Sequence, residues 1–189
     1  MKRTLLLLLT AAALAGCKSL PDKPAQQTMY DFGPAPAVAA SNAPALPPLL
    51  LPDVQVGTAL ESTELHYRLA YEDANQLRPY AYARWSSPPG ELVRQRLRDV
   101  LGRGRAVLDT SATGSLTRRR GATPPVLRLE LEEFSHVFTS PAQSSGVLRV
   151  RATLLESTAG GARLVAQRSF ESRHPAASAD AAGGVRALA

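Results

Sequence analysis

The chain has 189 residues, 44% hydrophobic and 20% charged, with 22 Lys and Arg against 16 Asp and Glu and a formal net charge of +6. That composition suits one globular domain with a substantial core and excludes a multispan membrane protein. A single cysteine, Cys17, excludes a disulfide framework and a thiolate zinc cluster.

Taken in order, Lys2-Arg3 and an apolar run from Leu5 to Ala13 have the layout of a secretory signal. The run is too short for a transmembrane helix, which takes about 20 apolar residues. Leu14-Ala15-Gly16-Cys17 closes it and resembles the lipobox of bacterial lipoproteins. The resemblance implies that residues 1–16 are a signal peptide cleaved before Cys17, with lipid on the Cys17 thiol and acylation of its amine. Lys18 then sits at the sorting position. Aspartate there is the usual inner-membrane retention signal in enterobacterial lipoproteins, so lysine implies the outer membrane. Losing Lys2 and Arg3 with the signal lowers the formal charge from +6 to +4.

Residues 17–48 read as a Pro/Ala-rich tether with a short extended piece near 28–33, around Tyr30-Asp31-Phe32-Gly33. Pro34, Pro36, Pro44, Pro47 and Pro48 exclude a helix or an inner strand from its second half. Residues 49–189 read as the folded domain. Leu49–Val56 is apolar enough for a strand, and Pro52 places it at an edge or bulge. Thr63–Leu69 alternates, Glu72-Asp73-Ala74-Asn75 supplies turn residues, and Gln76–Trp85 returns, which predicts a hairpin. Ser87-Pro88-Pro89 starts a helix with Ser87 as cap; Leu92, Val93, Leu97, Val100 and Leu101 form its apolar stripe, and Gly102 and Gly104 end it. Arg105–Asp109 is a short strand.

The clearest β pattern follows. Leu127, Leu129 and Leu131 alternate with Arg128, Glu130 and Glu132; then the phase flips, and Phe134, His136 and Phe138 share a side. A one-residue phase change inside a strand predicts a β-bulge. Gly146–Glu156 and Arg163–Glu171 make another hairpin, and a last helix is expected from about Ser178. The expected fold class is α+β, a mostly antiparallel sheet with two helices packed on one face, in a single domain.

Groups for catalysis are sparse. His66, His136 and His174 are dispersed without metal-ligand spacing, so no metal site and no cofactor are expected. Glu130, Glu132 and Glu133 are explained by the solvated face of a strand. No serine lies in a nucleophile motif and no phosphate loop is present, so no active site is expected and an envelope hydrolase is disfavoured. Nine arginines between 84 and 120 stand against Glu91, Asp99 and Asp109. Arg94, Arg98 and the run Arg118-Arg119-Arg120 are candidates for anionic headgroups or an acidic partner, with a solvated surface as the other reading. Nucleic acid is not expected outside the cytoplasm. Tyr80, Tyr82 and Arg84 alternate along one predicted strand, so a shared face and a partner interface are expected, the rival being cover by the C-terminal helix. Trp85 is read as a plug between hairpin and helix.

In this order, the lipobox, Tyr30–Gly33, the strand at 49–56, Leu65–Arg68, Tyr80–Trp85 with Ser-Ser-Pro-Pro and Leu92, Leu127–Phe134, and the closing Ala179-Asp180-Ala181 with Val185 and Ala187-Leu188 resemble the ABC-type transport auxiliary lipoproteins, the family of paraquat-inducible protein C. The resemblance implies a non-enzymatic, lipid-anchored protein on the periplasmic face of the outer membrane. It would dock an inner-membrane MCE-domain protein of a lipid-transport system, as a homo-oligomeric ring. The alternative is an accessory or chaperone of another envelope-assembly machine.

Overall fold

The computed structural model describes residues 26–35, 46–109, 123–158 and 160–189. Its organising element is a 15-residue strand, β7 (Val126–Ser140), whose two edges are both used. The predicted bulge is present: Leu131 pairs with Val150 and Glu133 with Arg149, leaving Glu132 as the extra residue. The bulge therefore brings Leu129, Leu131, Phe134, His136 and Phe138 onto one buried face, where strict alternation would have sent the last three outward.

Along one edge of β7 the early chain is laid in three parallel pieces. β2 (Leu46–Leu50) meets Val126, β3 (Gln55–Val56) meets Glu130 and Leu131, and β4 (Glu64–Leu69) meets His136 to Phe138. β5 (Arg78–Trp85) returns antiparallel to β4 after a single-turn helix α1 (Ala70–Asp73). β1 (Thr28–Tyr30) adds parallel to β5, and β6 (Arg105–Leu108) parallel to β2. On the other edge of β7, β8 (Gln143–Thr158) and β9 (Gly161–Pro175) form long antiparallel ladders.

The sheet is thus mixed, which corrects the mostly antiparallel expectation. Among the described residues five strand pairings are parallel and three antiparallel. Alternation along a strand reports which face is buried; it carries nothing about the direction of a neighbour distant in sequence. β2 also corrects the exclusion of an inner strand, because it lies between β6 and β7. Pro47 and Pro48 fall in a register irregularity between Leu46 and Leu49, so their missing N–H groups break no ladder bond. The amides on either side donate to Gly104 O at 2.8 Å and Pro125 O at 2.9 Å. Leu49–Val56 is two strands with Pro52 in the break between them.

Among the described residues there are three α-helices rather than two. The two longer ones, α2 (Pro89–Leu101) and α3 (Ala181–Leu188), feed one core with Leu92 and Val93 from the first and Val185 and Leu188 from the second. Pro88, not Ser87, occupies the N-cap of α2, with no side-chain cap bond; Pro89 opens the helix and Glu91 lies in its first turn. At α3, Asp180 caps by accepting from the Gly183 amide at 2.7 Å. Trp85, fully buried, makes ring contacts with Phe134 at 5.3 Å and Phe32 at 5.7 Å. The stretch after β1 is therefore pinned to the core through Phe32.

Candidate partner surfaces

Tyr80, Tyr82 and Arg84 do not share a face. Between the pairs Glu64–Arg84 and His66–Pro79, β4 advances two residues while β5 advances five. This wide irregularity breaks the alternation at Ala81–Tyr82. Tyr80 turns inward, where its ring lies 4.6 Å from Tyr67 and its hydroxyl 2.9 Å from His136 Nδ1. Burial raises the Tyr80 phenol well above its ordinary range, so it keeps its proton. His136 has no exposed surface, and its ring is 4.4 Å from Phe138. Burial pushes its pKa down to about 4, against a weaker upward pull from Asp180. The backbone of Gly184 in α3 rests on this imidazole so closely that a Cβ there would fall on Nδ1 and 2.6 Å from Cγ. The C-terminal helix therefore packs on His136, the partner of the Tyr80 hydroxyl.

Tyr82 and Arg84 face outward. Tyr82 is 62% exposed, and Arg84 donates from Nε to Gln27 Oε1 at 3.1 Å. Across the β1–β5 pairing, Met29 stands opposite Arg84 and is 65% exposed. The outer surface at this edge is thus Tyr82, Arg84 and Met29. Sequence reasoning missed Met29, because nothing in the isolated stretch Thr28–Tyr30 shows that it joins the sheet beside β5.

The basic stretch is partly neutralised from within. Arg94 lies 3.3 Å from Asp53 and 3.4 Å from Asp109, and Arg98 also pairs with Asp109. The Arg96 guanidinium sits 5.7 Å from the Phe32 ring and donates to the Phe32 carbonyl. Arg94 and Arg98 are therefore committed to the body of the protein, which weakens their candidacy as anion contacts. Arg118, Arg119 and Arg120 lie outside the described residues, as do Cys17 and Lys18.

The three glutamates of β7 divide in the same way. Glu130 and Glu132 pair with Arg151, on the face away from the core. Glu133 is only 15% exposed in its side chain and holds Arg68 through two contacts of 3.2 Å. A shallow cleft of about 210 Å³ opens beside this pair, walled by Leu60, Leu77 and Phe134. Thr58, Arg68, Glu132 and Glu133 supply its polar lining. Among the described residues no three His, Asp or Glu side chains converge as a metal site.

The family model describing the ABC-type transport auxiliary lipoprotein component matches residues 30–189. No curated protein matches the chain. Among solved structures, protein XCC0632 from Xanthomonas campestris, assigned to family DUF330, is similar at a TM-score of 0.68 and 20% identity, covering 85% of each chain. A second, described only as an uncharacterized protein, is similar at a TM-score of 0.59 and 15% identity, covering 86% of this chain and 89% of its own. These likenesses extend to the fold.

Proposed function

Because the chain belongs to the ABC-type transport auxiliary lipoprotein family, a family of transport components and not of enzymes, we propose that it is the outer-membrane-anchored, periplasmic subunit of an MCE-type lipid-transport system. In this reading Cys17 carries the lipid and Lys18 permits passage to the outer membrane. The folded body docks an MCE-domain protein of the inner membrane, with further copies of the chain arranged around it as a ring. The supporting observation is the outer surface of the β1–β5 edge, where Tyr82 and Met29 stand exposed beside the half-buried Arg84. Tyrosine and arginine give large contact area and directional bonds at low entropic cost. β1 lies eleven residues after Cys17, so this edge stays within about 40 Å of the anchor even on a fully extended tether.

Palmitate labelling, membrane fractionation and co-purification of the detergent-extracted full chain test the proposal together. Cys17→Ser is expected to lose the label, and the wild type to fractionate with the outer membrane. Tyr82→Ala with Arg84→Ala is expected to lose the MCE-domain partner without a change in melting temperature. Co-purification with a different envelope machine, and no MCE-domain protein, would replace this reading with the accessory-chaperone alternative.

A further inference from the structure

β9 is unusual in its exposure. It is 15 residues long, among the described residues it is hydrogen-bonded only to β8, and every residue except Ser172 is exposed. Among the described residues one whole edge is therefore open, leaving a row of unpaired backbone donors and acceptors that an extended backbone is the natural group to satisfy, while α3 borders the strand near Ser172 and His174. Its backbone guards are confined to its ends, with the charged Arg168, Glu171 and Arg173 between them. The register shift leaves Val165 as an extra residue near one end, and Pro175 closes the other. Between them the ladder from Ala166 to His174 is regular.

The side chains on that regular stretch complement each other. Arg168 and Phe170 stand opposite Ala152 and Val150 of β8, which themselves stand opposite Leu129 and Leu131 of β7, so both continue the buried face of the sheet out to its rim. Phe170 is 52% exposed. Arg168 makes no hydrogen bond or ion pair among the described residues. Two residues apart on one face, a bare cation and an uncovered ring meet twice when the strand is placed antiparallel to itself.

We infer that β9 pairs antiparallel with β9 of a second copy of this chain, about a two-fold axis through Ser169. In that register Arg168 lies opposite Phe170 of the other copy, twice, and Gln167 lies opposite its Glu171, twice. Ala166 to Ser172 then forms about six to eight inter-chain backbone bonds, an even number by the two-fold symmetry and within the range of a typical specific interface. Among the described residues the other outer edges, β1 and β6, are three and four residues long, so neither offers a strand to match. The contact is isologous and closes on two copies. It does not depend on the proposed lipid anchor or MCE partner.

Cysteine crosslinking of the full-length protein in its own membrane tests this, with the wild type reporting any link through Cys17. Ser169→Cys places two thiols across the axis within disulfide range, whereas Gln167→Cys and Glu171→Cys each separate theirs by about 13 Å along the strands. A disulfide dimer is expected from position 169 and not from 167 or 171. Adding Phe170→Lys, which removes two cation–π contacts and sets like charges against Arg168 twice, is expected to cut the yield by about tenfold or more. Phe170 is half-exposed, so the fold should persist, and an unchanged melting temperature checks that it does. No crosslink at 169, equal crosslinks at 167 or 171, or a yield indifferent to Phe170→Lys would each overturn the pairing. So would a ring-sized oligomer unaffected by that change, which would leave the proposed transport role standing with its contact elsewhere.

Discussion

Acid should loosen this protein from the inside, and His136 sets the pH range. The imidazole is fully buried, its Nδ1 engaged by Tyr80, with the α3 backbone resting on its ring. Its pKa falls from 6.5 to about 4. Unfolded, the same side chain takes a proton as pH drops below about 6.5; folded, it refuses one until about 4. The unfolded state therefore binds more protons throughout that window, and stability decreases as pH falls through it. A shift of this size corresponds to about 3 kcal/mol in full, a sizeable part of the 5–15 kcal/mol typical of a domain. Urea denaturation at pH 7 and pH 4, for the wild type and His136→Asn, isolates the contribution. The wild type is expected to lose about 3 kcal/mol more than the variant between those two values. His66, also buried and lowered, contributes to both proteins and cancels in the comparison. Equal losses in the two would refute the assignment of acid sensitivity to this histidine. Below pH 4 a second loss should follow as the Asp180 cap is protonated. The Gly183 amide, and then the Ser178 hydroxyl, hold that carboxyl below its ordinary range.

Tyr80→Ala should cost about 3 kcal/mol in stability while Tyr82→Ala costs less than about 0.5, since only the first is packed against the core; denaturant titration of the pair checks it. Similar costs for both would contradict the inward turn at Tyr80. Gly184→Ala should lower stability by about 1–3 kcal/mol, because the added methyl meets the His136 ring and the helix backbone has to move off it. Deleting Glu132 removes the bulge, yet plain alternation then keeps Leu131, Phe134, His136 and Phe138 on one face, so this variant is expected to fold. Circular dichroism and the yield of soluble protein should stay close to wild type, and loss of the fold would refute the assignment of Glu132 as the extra residue.

The local pattern carried a great deal. The phase flip at Glu132 predicts the bulge in β7, the β4–β5 and β8–β9 hairpins are where alternation and turn residues place them, and Trp85 is the plug that its apolar surroundings suggest. Each rests on neighbours along the chain, for which periodicity and turn chemistry are direct physical constraints. The order of weak motifs also pointed to the family that the comparison establishes. Tertiary structure decided what depends on contacts between distant residues. β7 is long enough to receive residues 46–69 along one edge, and that parallel packing has no sequence signature, so the sheet is mixed. Pro47 and Pro48 enter an inner strand because a register break on β6 excuses their missing donors. Tyr80 and Tyr82 part company because β5 runs three residues ahead of β4, a slip that alternation along β5 alone cannot register. Arg94 and Arg98 read as a free basic stripe until folding brings Asp53 and Asp109 against them. In every such case the deciding group lies far away in sequence, and only the closed sheet sets the distance between them.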